Sequence, residues 1–145
     1  MKILFSDDYI VNESLVNKSN GLVVFGDYRL QIVPVNQKEQ VLCFTYDELI
    51  TVTIEVLKEV MKTRILVFDI ETGTAFKLNL NIQTLKQYFE LQVELTVEEL
   101  KQLFAVLDKQ EIVVHDPVHL REFYLEKNGS LQAYVAKKLL ELYPL

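Results

Sequence analysis

The sequence predicts an α+β domain in which antiparallel strands come first and helices last. Up to Thr96, β-branched and aromatic residues recur at a period of two between turn signals, as in strands with one buried face. From Thr96 onward, apolar residues recur at helical spacing behind recognisable caps. Half of the 145 residues are apolar and only four are Gly and three Pro, so an ordered globule with a sizeable core is expected.

Residues 2–5 and 9–11 are expected as short edge strands. Segments 21–27 and 29–34 form the next pair, turning at Gly26-Asp27, with a further strand over 41–46. Cys43, flanked by Leu42 and Phe44, reads as a small core residue. As the single cysteine it excludes an intramolecular disulfide. In 50–56 alternate residues are aliphatic, which indicates a strand. Ile50, Ile54, Leu57 and Met61 would also line one face of a helix, but the crowding of β-branched residues favours the strand. Segments 65–71 and 75–80 make a hairpin with its turn at Thr72-Gly73. The clearest strand is 89–95, where Phe89, Leu91, Val93 and Leu95 alternate with Glu90, Gln92 and Glu94.

Thr96 with Glu99 three residues on is a capping box, and Leu100, Leu103, Phe104 and Leu107 form the apolar stripe behind it. Asp116-Pro117 supplies an N-cap and a first-turn proline for a helix over 118–127, stopped by Asn128-Gly129. Ser130 caps a last helix carrying Leu131, Val135, Leu139 and Leu142 on one face, with Tyr134 and Tyr143 beside it.

Counted from Gly21, the chain has seven strands and then an amphipathic helix. Asp27-Tyr28-Arg29-Leu30-Gln31-Ile32 is similar to the step into the second strand of pleckstrin-homology-like domains, including their bacterial and GRAM-type members. Tyr46-Asp47-Glu48-Leu49-Ile50-Thr51-Val52 resembles the entry to their fourth strand, and the hairpin with Gly73 resembles theirs. The resemblance covers residues 21–109. It implies a seven-stranded antiparallel barrel of two near-orthogonal sheets, capped by the Thr96 helix. Residues 1–109 would then form the barrel domain and 110–145 a helical extension packed on it. Such domains bind phosphoinositides through basic residues between their first strands. Here Lys18 and Arg29 stand among Asp7, Asp8, Glu13 and Asp27, which argues against headgroup binding.

Ile65-Leu66-Val67-Phe68-Asp69-Ile70-Glu71-Thr72-Gly73 also resembles the first metal-binding motif of DEDD-type 3′–5′ exonucleases. That chemistry needs two further aspartates to hold two divalent cations. Leu120 stands where the second is expected, and no Asp follows Asp116. Asp69 and Glu71 are therefore read as solvent-facing hairpin residues. His115 and His119 have ligand spacing, but Pro117 leaves His115 outside the helix and nothing completes a metal set.

Fifteen Lys and Arg against 21 Asp and Glu give a net charge of −6, which repels phosphate backbones and anionic lipid, so neither nucleic acid nor membrane is expected as a partner. Asp7 and Asp8 interrupt the N-terminal apolar stretch, and a cytoplasmic location is expected. No cofactor is expected either. The functional expectation is a non-enzymatic protein-interaction module, its partner another protein or a second copy. Its contact face would be Leu131, Tyr134, Val135, Leu139 and Leu142, a stripe that can equally pack inward. The alternatives are a metal-dependent phosphodiesterase using Asp69 and Glu71, or a small acidic inhibitor of immunity type, motivated by the charge.

Overall fold

A computed structural model describes residues 1–6, 9–16, 20–35, 41–65, 68–126 and 130–142, with the backbone alone at 6, 58–65, 68–76, 124–126 and 131–132. Its strands are β1 (Lys2–Ser6), β2 (Tyr9–Val11), β3 (Ser14–Val16), β4 (Asn20–Phe25), β5 (Arg29–Pro34), β6 (Leu42–Thr45), β7 (Leu49–Ile65), β8 (Phe68–Thr84), β9 (Tyr88–Val93) and β10 (Val113–His115). The helices are α1 (Val97–Lys109), α2 (Leu120–Glu126) and α3 (Leu131–Leu142), with one 3₁₀ turn at Tyr46–Glu48. The α+β class holds.

All ten described strands belong to one sheet of order β10-β7-β8-β9-β1-β4-β5-β6, with β2 pairing β9 and β3 pairing β2. The expected seven-stranded barrel is corrected on two counts: the described strands number ten, and β6 and β10 end a sheet that does not close among the described residues. Within it lie two meanders, β1-β4-β5-β6 and β7-β8-β9, joined where Phe5 pairs with Val93. β1 therefore runs through the middle of the sheet and is not the edge strand expected. Gly21 makes its pairing with β4 possible, since a Cβ there would collide with the Phe5 ring and stand 2.7 Å from the Val33 carbonyl oxygen.

The long hairpin differs most from expectation. Segment 50–56 is a strand, as the β-branched residues indicate, but it continues to Ile65. Segments 65–71 and 75–80 are largely one strand, β8, and the chain reverses between Ile65 and Phe68, not at Thr72-Gly73. Met61 pairs with Gly73 and Lys62 with Glu71, so Thr72 is an extra residue in β8. The glycine marks a bulge in mid-strand rather than a turn.

Period-2 alternation sends Ile3, Phe5, Val23, Phe25, Leu30, Ile32, Val52, Ile54, Leu80, Ile82, Phe89 and Leu91 into a single core. On β6 the inward position goes to Phe44, which packs 5.4 Å from Phe89 ring to ring. That alternation turns Cys43 outward, so it is exposed and not the core residue expected. The 26–28 turn is closed as expected by Gly26 N–H to the Arg29 carbonyl at 2.9 Å, with Tyr28 exposed at its tip.

α1 covers the core with Leu100, Leu103, Phe104 and Leu107, all fully buried. Its capping box is in place: Glu99 N–H donates to Thr96 Oγ1 at 3.2 Å and Thr96 N–H to Glu99 Oε1 at 3.1 Å. Residues 110–145 open with a strand, not a helix, because β10 pairs in parallel with Thr51, Val52 and Thr53 of β7. Asp116 caps the start of α2, its two carboxylate oxygens accepting from Leu120 and Arg121 N–H at 2.8 and 3.0 Å. α2 starts only at Leu120, so Pro117 lies in the preceding turn and not at the first helical position. His119, at φ 56°, separates that turn from the helix. Ser130 caps α3 through Ala133 N–H at 3.1 Å, while the expected stop at Asn128-Gly129 lies outside the described residues. Ile112, Val118, Leu120, Phe123, Tyr134 and Val135 join the same core as the strands. Among the described residues no helix is long and apolar enough to cross a membrane.

Candidate functional site

Past the reach of its flanking strands, the β7–β8 hairpin continues as a two-stranded arm. β10 pairs β7 no further than Thr53, and β9 pairs β8 only from Leu78 back toward the chain's core. From Leu57↔Lys77 to Ile65↔Phe68 the hairpin has only its own ladder among the described residues. At about 3.3 Å per residue this arm is roughly 30 Å long. Its two strands differ in composition: 57–65 carries Lys58, Lys62 and Arg64 against Glu59, whereas 68–77 carries Asp69 and Glu71 against Lys77. In register, Asp69 stands opposite Arg64 and Glu71 opposite Lys62. The side chains of Asp69 and Glu71 lie outside the described residues, but their backbone sits on this arm.

The expected contact face on α3 is divided by burial. Tyr134 is 8% exposed and Val135 1%, and the Tyr134 hydroxyl donates to the His119 carbonyl at 2.6 Å. Both belong to the core, with Tyr134 also 5.2 Å from the Phe123 ring. Leu139 is half-buried against that core, and Leu142 is 40% exposed. Leu131 opens the helix, its side chain outside the described residues. Tyr134 and Val135 thus dock α3 on the fold, while Leu142, in its last turn, is at the surface beside the exposed Leu140.

A polar face missed in the sequence lies on the outer side of β7-β8-β9. Glu55 pairs with Asn79, Asn79 with Gln92 and Asn81 with Glu90, which sets these residues on one side of the sheet. Asn79 and Asn81 are buried there, with Asn79 Nδ2 donating to Asn81 Oδ1 at 2.7 Å. Tyr88 donates its hydroxyl to Glu90 Oε1 at 2.7 Å. Burial raises the Tyr88 pKa, as do that hydrogen bond and the charges of Glu90, Glu55 and Glu13. None of the ion pairs among the described residues involves these three glutamates. The alternation of Glu55, Asn79, Asn81 and Glu90 with core aliphatics was legible as strands, but not that they meet.

Of the candidate metal residues, His115 is exposed on β10 and His119 lies 4.0 Å from Glu122. Among the described residues no three of His, Cys, Asp and Glu come together as a metal site. No protein-family model matches the chain, and no curated protein or solved structure matches it either.

Proposed function

We propose that this chain is a non-enzymatic protein-interaction module that recognises its partner through the β7–β8 arm. The observation that carries the reading is that, among the described residues, no strand flanks the arm. A two-stranded ribbon is marginally stable in water, and a strand edge without a neighbour invites another strand to pair. The scaffold beneath is read as pleckstrin-homology-like. Seven strands, β1 and β4 to β9, run as a four-strand and a three-strand meander, and α1 then closes the core. On that reading β2, β3 and β10 are additions to the scaffold. Mid-sheet strands and a core-seated α3 serve stability, which leaves recognition to the arm.

Replacing residues 58–76 with a two-residue Asn-Gly turn tests the proposal. The shortened chain keeps the circular dichroism and cooperative melting of the parent but loses association with whatever the parent binds. A shortened chain that no longer folds, or one that binds as the parent does, contradicts it.

The three glutamates around Tyr88 favour a second reading, an acidic inhibitor that occupies a basic site on its target. Binding of that kind weakens steeply with salt and with Glu55→Gln and Glu90→Gln together. Binding insensitive to both excludes it.

A further inference from the structure

We infer that the cavity between the β2–β3 hairpin and the outer face of β7-β8-β9 binds a guanidinium carried on an aliphatic stem. The inference rests on this cavity and not on the arm.

The cavity measures about 440 Å³ and has two kinds of lining. Ile10, Leu15 and Leu57 give it an apolar wall, and Leu15 is 64% exposed. Glu55, Asn79 and Glu90 give it acceptors. Pairing brings the two kinds together. Ile10 pairs with Leu15 and with Glu90, Glu90 with Asn81, and Glu55 with Asn79. Paired residues, and residues two apart on one strand, share a side of the sheet.

An unmatched acceptor points to the ligand. Asn79 is 6% exposed and donates its Nδ2 to Asn81, but its Oδ1 has no hydrogen bond among the described residues. No fully enclosed side-chain nitrogen or oxygen among them lacks a partner, so this oxygen opens into the cavity that Asn79 lines. An acceptor held so far from bulk solvent is costly to leave unmatched, and a donor from a ligand removes that cost. Charge agrees with it. Glu55 has neither hydrogen bond nor ion pair among the described residues, and Glu90 has only the bond from Tyr88 to its Oε1. Gln92, which also lines the cavity, can turn either end of its amide inward.

The spacing selects among cations. Glu55 and Glu90 stand on strands about 9.5 Å apart, with Asn79 on the strand between them. A guanidinium is a planar fork of N–H donors and reaches spread acceptors better than a compact ammonium does. Its stem covers Ile10, Leu15 and Leu57, which a bare metal ion leaves uncovered. No three metal-ligating side chains come together among the described residues.

Titration of the full chain with N-butylguanidinium, followed by amide NMR, tests this. Saturable shifts are expected at Ile10, Leu15, Leu57 and Glu90, in the millimolar range usual for so small a ligand. n-Butanol, which has the stem without the charge, should give none. Glu55→Gln and Glu90→Gln should keep the melting of the parent and each weaken binding at least about fivefold. Shifts in the parent that do not saturate, equal shifts with butanol, or undiminished binding in both variants overturn the inference. The comparison with butanol uses the parent alone, so it decides even if a variant fails to fold. Agmatine and acetyl-Ala-Arg-Ala-amide then distinguish the sources. Tighter binding of the first assigns the guanidinium to a free small molecule, and of the second to an arginine of a protein.

Discussion

Arg121 on α2 grips Asp108 on α1 through two parallel bonds of 2.6 Å, with its guanidinium carbon 4.4 Å from the centre of the Phe104 ring. The pair ties the C-terminal helices to the helix that closes the core. The hydrogen bonds from Arg121 hold the Asp108 carboxyl below its ordinary value of 3.8, against a smaller opposing effect of burial. A carboxyl lowered in the folded state adds stability above its unfolded pKa and loses it as pH falls through the folded one. Both side chains are more than a third exposed, so Asp108→Asn should cost no more than about 1 kcal/mol at neutral pH. The same variant should show a shallower fall in melting temperature than the parent below about pH 4. Parallel acid profiles would show that the pair contributes nothing.

Removing Phe104 should be far more damaging than removing the cap. Phe104→Ala empties a fully buried site and should cost about 3–5 kcal/mol in urea unfolding. Thr96→Ala loses one 3.2 Å cap bond and should cost about 1 kcal/mol. Near-equal, small costs would mean that α1 does not seal the core.

Two phenols bear on stability at alkaline pH. Tyr46, buried and donating to the Gly26 carbonyl at 2.5 Å, has a pKa raised by burial and then by Asp27. Tyr88 is raised by burial and by the carboxylates around it. A raised phenol contributes stability below its unfolded value near 10.0, and that stability is lost as pH climbs toward the folded value. Tyr88→Phe should therefore flatten the decline in melting temperature above about pH 10. An unchanged alkaline limb would mean that Tyr88 plays no part in it.

Docking of α3 predicts graded effects along one helix. Val135→Asp places an unpaired charge in the core and should abolish cooperative unfolding, while Leu142→Asp at the exposed end should leave it intact. Leu139→Asp should fall between them, because that side chain is half-buried against the core. Calorimetry on the three separates this from a free helix, for which all three would melt like the parent.

Local signals are legible in this sequence and pairing signals are not. The Thr96 cap, the α1 stripe and the β9 alternation depend on neighbours a few residues apart, and the fold contains all three. Gly73 permits a turn or a bulge, and only the register against Met61 decides between them. Cys43 reads as core because its neighbours are apolar, yet Phe44 takes the inward position and alternation sends the thiol out. β1 lies in mid-sheet because of contacts with Val93 and with β4, which its five residues do not announce. The α3 stripe reveals a buried face but not what buries it. The polar face is hidden for the same reason, since Glu55 and Glu90 meet only through β8.

Amide hydrogen exchange tests the role of the arm most directly. If the arm is an interaction element outside the folding core, amides of 57–65 exchange rapidly in dilute solution of the chain alone. Those of Leu78, Leu80 and Ile82, flanked by β7 and β9, stay protected. Protection of 57–65 as strong as that of Leu80 would contradict that role and make the arm part of the monomer's own fold.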